Sequence, residues 1–333
     1  MRRLLLVFPL IACGACVGVQ DLGDHPSGAT DASSDSVVTD SGADSIATDS
    51  MTTDAGAGET VLIPAGSFNV AWGGNKWNGR TSTAKITHDF WVDAHEVTVG
   101  QFRAWLDASM PAPCPGAKCS LEPGGPYAET MRWYPSDDSA VGATMYKGTG
   151  CEKAMFIAEK NDKTTFDGDE RLPMNCVTFA QAVAVCHFRG MRLLTEVEWH
   201  YVASGRGQQR TYPWGEPSPT SCTQAIFGLD TSGANKCGFP KPVMTAPGDV
   251  SRDGIHDLAG SVSEWTFSTE GPYVPPEVLP DDYAGAVRTD DGVTSRGGRF
   301  PSSPSELATT FSMTRNAKYA YADLGFRCAK TKL

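Results

Sequence analysis

Ten cysteines and six histidines are the side chains of this 333-residue chain best suited to metal or redox chemistry. Cys13 and Cys16 close an N-terminal leader, which leaves eight cysteines downstream: Cys114, Cys119, Cys151, Cys176, Cys186, Cys222, Cys237 and Cys328. A zinc site would need a second Cys or His pair at ligand spacing to match Cys114 and Cys119, and the chain has none. An iron site would need converging histidines, yet His25, His88, His95, His187, His200 and His256 are scattered, with no H-x-H or H-x-x-x-H pair. Their expected places are the surface or a satisfied core. Gly260-Ser261-Val262-Ser263-Glu264 lacks the closing glycine of a nucleophile elbow. Gly297-Gly298 is too short to cradle a phosphate and reads as a turn that only glycine fits. An even cysteine count then points to disulfides, which require an oxidising compartment.

The N-terminus supplies that compartment. Met1-Arg2-Arg3 precedes an apolar run, Leu4 to Cys13, about half as long as the ~20 residues that a bilayer crossing needs. A positive start and short greasy middle are the pattern of a secretory signal. Leu10-Ile11-Ala12-Cys13 resembles the bacterial lipobox, whose cysteine is diacylated and becomes the new N-terminus. Cys16 is a second candidate, but Cys13 stands where its box calls for an aliphatic residue. The expectation is a signal peptide over residues 1–12, a lipidated Cys13, and a bacterial cell-envelope protein anchored in a membrane and facing the periplasm or exterior.

Residues 13–58 form an acidic tether. From Val17 to Gly58 the chain is nearly all Asp, Ser, Thr, Ala and Gly, without Lys, Arg or an aromatic residue. Such a stretch buries too little apolar surface to offset its ordering entropy, and its eight aspartates repel one another into an extended form. Loss of Arg2 and Arg3 with the leader takes the formal charge from -11 to -13, of which the tether carries -8. An acidic balance with pI near 5.0 excludes generic nucleic-acid binding, which needs a basic face.

Residues 59–333 suit one large domain rather than a small disulfide knot. Thr98 can cap a helix that places Phe102, Trp105 and Leu106 on one face, and Thr178 one that carries Ala182, Val183 and Cys186 and ends at Gly190. Thr195 with Glu198 forms the capping box of a third, running through Trp199 to Gly205. Otherwise only short strands are expected, at Val61 to Ile63, Phe90 to Val92 and Gly325 to Cys328. A domain so rich in loops needs cross-links or ions to hold them.

Seven segments, in order, resemble the formylglycine-generating-enzyme, or sulfatase-modifying-factor, family: Ile63-Pro64-Ala65-Gly66-Ser67-Phe68, Glu96-Val97-Thr98, the stretch from Cys186 to Trp199, Tyr212-Pro213-Trp214-Gly215, the stretch from Asp257 to Trp265, Arg296-Gly297-Gly298 and Gly325-Phe326-Arg327-Cys328. The resemblance implies an α+β fold of the C-type-lectin-like kind, low in regular secondary structure and stabilised by disulfides. The family's founding activity is oxidation of a substrate cysteine to formylglycine with oxygen and a copper ion held by two cysteines. Two soft thiolates select Cu(I) over hard cations. Counted from Gly297, those positions here are Ser302 and Leu307, and no cysteine stands between Cys237 and Cys328. The family's oxygen-site serine is replaced by Arg299, a fixed cation that suits an anionic ligand or a neighbouring carboxylate. Copper is therefore not expected.

By the same matching, Cys186 and Cys328 form a family disulfide, and a second family bridge is absent at both ends, at Ala203 and Ser312. Local closure favours Cys222 with Cys237, then Cys114 with Cys119 and Cys151 with Cys176, among fifteen possible pairings. The segment Asp257 to Glu264 resembles the family's calcium loop, with side-chain oxygens from Asp257 and Glu264 and backbone carbonyls from Gly260 and Val262, a hard-oxygen set that suits calcium. A second family calcium site falls near Ala225 and Cys237, which lack side-chain oxygens; the Cys222–Cys237 bridge would clamp that loop instead. Trp72, Trp77, Trp133 and Tyr134 offer a sugar- or peptide-binding surface, whereas Trp199, Trp214 and Trp265 read as core. Together these readings give a membrane-tethered, non-catalytic binding or assembly platform for an unknown protein, peptide or glycan ligand. The alternatives are a formylglycine-generating or other oxidoreductase acting on proteins, and a carbohydrate-binding module.

Overall fold

The computed structural model describes residues 59–72, 79–133, 148–149, 151, 169–228, 237–269, 276–284 and 292–333. The leader, Cys13 and the tether lie outside the described residues, as do Trp77 and Tyr134. Three helices start at threonines whose hydroxyls accept the N–H three residues on, while the side chain there returns to the threonine N–H. They are α1 (Val99–Asp107, Thr98 with Gln101), α2 (Phe179–Phe188, Thr178 with Gln181) and α3 (Glu196–Ala203, Thr195 with Glu198). In α1 the buried residues Val99, Phe102 and Trp105 make one face, as the spacing implied. The other two are buried far more completely: α2 from Phe179 to Cys186 and all of α3.

The strands are short: β1 (Thr60–Ile63), β2 (Gly66–Trp72), β3 (Arg80–Ile86), β4 (Phe90–Asp93), β5 (Cys119–Ser120), β6 (Arg132–Trp133) and β7 (Gly148–Thr149) precede α2. β8 (Arg192–Leu193), β9 (Ser263–Thr269), β10 (Gly292–Arg296), β11 (Ser312–Asn316), β12 (Ala320–Tyr321), β13 (Leu324–Phe326) and β14 (Cys328–Thr331) follow it. Two four-stranded sheets have the orders β1-β4-β14-β8 and β11-β10-β9-β13; β2-β3, β5-β6 and β12-β7 pair separately. The expected strand from Gly325 to Cys328 is thus two strands. β13 runs parallel to β9 in one sheet, and β14 runs antiparallel to β4 and β8 in the other. Arg327 is the single residue at the change of sheet.

All described residues belong to one compact unit, Thr52–Leu333. Its cysteines pair as Cys114–Cys119, Cys151–Cys176, Cys186–Cys328 and Cys222–Cys237. Cys186–Cys328 ties α2 to β14 across 142 residues, a loop closure worth up to roughly 5 kcal/mol on chain-entropy grounds. Cys237 Sγ lies 3.5 Å from the Ala225 carbonyl oxygen, so the segments that carry Ala225 and the Cys222–Cys237 bridge lie together. Among the described residues, no helix is long and apolar enough to cross a membrane. Two aromatic expectations need correction. Trp72 and Trp133 are buried, because alternation along β2 and pairing of β6 with β5 turn them inward. Trp214 is only half-buried, stacked at 5.1 Å on Tyr212 rather than enclosed.

Candidate functional site

Beyond β10 the chain turns at Gly297 and Gly298, with φ of +97° and +67°. Space as well as backbone demands glycine here: a Cβ on Gly298 would lie 2.6 Å from the Glu306 carbonyl oxygen, and one on Gly297 3.0 Å from that of Leu258. The turn therefore seats the 257–260 loop against the segment that carries Ser302 and Leu307. Ser302 is buried; its N–H donates to the Arg299 carbonyl at 2.9 Å, and its own carbonyl accepts from the Gly228 N–H at 3.0 Å. Its Oγ has no hydrogen-bond partner among the described residues. Leu307 packs into an apolar cluster with Phe300, Ile226, Ala259 and Tyr212. A hydroxyl and an isobutyl group thus occupy the positions matched to the copper thiolates. Arg299 pairs through Nη1 with Asp323 Oδ2, and Arg315 lies 3.4 Å from the same oxygen while stacking over Tyr321 at 4.8 Å.

On the other side of the turn, Asp257 and Glu264 of the predicted calcium loop meet Arg327. Its Nε lies 2.9 Å from both Glu264 oxygens and its Nη2 2.6 Å from Oε1, while Trp199 Nε1 donates to Oε2 at 2.8 Å. The same guanidinium donates to the carbonyls of Asp93, His256 and Asp257. Asp257, at a left-handed φ of +56°, accepts the Met244 N–H at 2.6 Å.

Two further buried acids join them. Glu96 accepts the Val262 N–H at 3.0 Å and the Ser261 hydroxyl at 3.2 Å. Asp249 accepts the Ala259 N–H at 2.8 Å through Oδ2, and its Oδ1 has no partner among the described residues. Burial first, then the neighbouring Asp257 and Glu264 charges, push the Glu96 carboxyl well above the usual range. Burial and the Asp257 charge do the same to Asp249, and Asp257 itself is raised chiefly by burial. Four carboxylates thus face one guanidinium. Among the described residues no three Asp, Glu, His or Cys side chains are grouped so as to hold a metal ion on their own. Glu96 lies in the Glu96-Val97-Thr98 motif, which by itself points to no role, whereas Asp249 carries no local signal at all.

Fold and site together define a formylglycine-generating-enzyme-like domain with no sulfur at the copper positions. The chain belongs to the family of sulfatase-modifying factor enzyme 1-like domains, whose model matches residues 47–332. It is 32% identical over 170 residues to the inactive C-alpha-formylglycine-generating enzyme 2 of Mus musculus, covering 48% of this chain and 49% of that protein. To the hercynine oxygenase of Mycolicibacterium smegmatis it is 27% identical over 269 residues, covering 77% and 57%. The chain spans about half the length of the curated relatives it matches. Among solved structures, PvdO from Pseudomonas aeruginosa superimposes with a TM-score of 0.56 at 20% identity, covering 84% of this chain and 96% of that one, a likeness of fold alone.

Proposed function

We propose that the domain is a non-catalytic binding or assembly platform, exported and held at a bacterial membrane by lipidated Cys13 and the acidic tether. The observation that carries this reading is the pair Ser302 and Leu307, one a hydroxyl and the other enclosed in an apolar cluster. Neither offers the soft donor that a cuprous ion requires. All eight cysteines of the domain are engaged in disulfides, so no other thiol is available to substitute. A relative named as an inactive formylglycine-generating enzyme supports the same direction. The test is incubation of the purified protein with Cu(I) and a Cys-x-Pro-x-Arg peptide, followed by mass spectrometry. No aldehyde is expected; aldehyde formation, including turnover that survives Ser302→Ala, overturns the reading.

We also propose one structural calcium ion at the Asp257–Glu264 loop. The charge supports it: four carboxylates face the single Arg327 guanidinium, and Asp249 Oδ1 is an orphaned buried oxygen. Arg327 and Trp199 already take both Glu264 oxygens, so Glu264 would meet the ion only by sharing, and Asp257 with the carbonyls of Gly260 and Val262 would carry the coordination. Calcium is expected to raise the melting temperature, and Asp257→Asn to abolish the rise. An unchanged melting temperature on adding calcium to chelator-treated protein removes the ion from the account.

A further inference from the structure

Three buried polar atoms without a partner among the described residues belong to one short stretch and the strand beside it: Arg299 Nε, Ser302 Oγ and Arg315 Nε. Arg299 leaves the Gly-Gly turn, and Ser302 is linked back to it by the 2.9 Å bond from its N–H to the Arg299 carbonyl. Arg315 stands on β11, braced by the Tyr321 ring beneath its guanidinium. Both arginines reach a single carboxylate, Asp323. One carboxylate between two guanidiniums leaves one positive charge over. The side chains of Arg299, Arg315 and Asp323 are 27%, 16% and 16% exposed, so part of each charged group faces solvent although the unpartnered Nε and Oγ atoms are themselves buried.

Burial without a partner is costly for an N–H, and more so on a charged group. Guanidinium forks match a carboxylate in plane and spacing, and both here are held by protein contacts before any ligand arrives. Asp323 already displays that chemistry from within the chain, and the leftover charge is that of a single monoanion. We propose that Arg299 and Arg315 capture the carboxylate of a peptide or small acid, beside the positions that have lost their copper ligands. This rests on the binding-platform reading and names the chemistry that platform recognises.

Two sources supply such a group, a chain terminus or an acidic side chain, and three probes separate them. The mature chain is titrated calorimetrically, in copper-free buffer, with acetyl-Gly-Gly-Phe as the free acid, the same peptide as its amide, and acetyl-Gly-Asp-Phe amide. Binding of the free acid alone identifies a terminus, binding of both acidic peptides identifies the carboxylate itself, and binding of the Asp peptide alone identifies a side chain. The neutral amide is expected not to bind. Arg299→Ala and Arg315→Ala are each expected to weaken the acid roughly tenfold or more, with Arg299→Lys falling between. Asp323→Asn, which removes the internal competitor, is expected to tighten it. No binding of either acidic peptide, equal binding of the amide, or unchanged affinity in a folded Arg299→Lys protein overturns the proposal. Aldehyde formation from the Cys-x-Pro-x-Arg peptide would sink the platform reading separately, whatever these titrations give.

Discussion

Asp323 and Arg327 stand four residues apart and meet opposite charge environments. Arg327 is one guanidinium among four carboxylates, those of Glu264, Glu96, Asp257 and Asp249. Asp323 is one carboxylate between two guanidiniums. The first place is closed to water, with Arg327 and Glu264 both about 1% exposed; the second is partly open. Burial decides what each imbalance does. In the closed region excess charge cannot be hydrated, so it is relieved by a proton or a bound cation. In the open region water tolerates the excess, and the leftover positive charge remains available to a visiting anion.

The contrast breaks most visibly at Arg327. Arg327→Met would leave Glu264 and its neighbours buried without a counter-charge, so a loss of about 3–5 kcal/mol is expected in equilibrium urea unfolding. A cost below about 1 kcal/mol, the range of an exposed pair, would show that the acid cluster is hydrated and that the two regions do not differ. The next effect has the opposite sign. Glu96→Gln keeps acceptance from the Val262 N–H and contact with the Ser261 hydroxyl while removing one of the excess charges. The folded state holds the Glu96 proton more tightly than the unfolded chain does, because its carboxyl is raised above 4.5 by burial and by Asp257 and Glu264. Stability of the natural protein therefore falls as pH climbs from the unfolded value through the folded one. Glutamine escapes that fall, so in chelator the variant is expected to match the natural protein near pH 4 and to be the more stable of the two near pH 8, in urea unfolding at both pH values.

What the sequence revealed of these regions follows the range of the physics involved. The threonine caps are legible because Thr98, Thr178 and Thr195 act on a partner three residues away. The Cys222–Cys237 bridge is legible for a similar reason, since its closing loop is short. The break at Arg327 is not: β13 and β14 part because each has a different distant neighbour, and the local apolar pattern is the same either way. Glu96 and Asp249 escape for that reason too, since tertiary packing alone brings them to Arg327. Trp72 and Trp133 look in sequence like part of a ligand-binding surface, whereas the pleat of β2 and the β5-β6 pairing turn them inward.

Arg299→Met has the smallest expected effect on stability, and for that reason it sharpens the comparison most. Removing one of two guanidiniums leaves Arg315 on Asp323, so no buried charge is stranded. Arg299 is about a quarter exposed, and its pair is screened accordingly. The expected loss is about 0–1 kcal/mol, the range of solvent-exposed ion pairs, while affinity for an acidic peptide falls with the lost fork. Stability and binding are then carried by different arginines, Arg327 for the first and Arg299 for the second. A stability loss in Arg299→Met as large as that in Arg327→Met would mean that Arg299 is a buried strut like Arg327, and its unmatched Nε would then reflect packing rather than recognition.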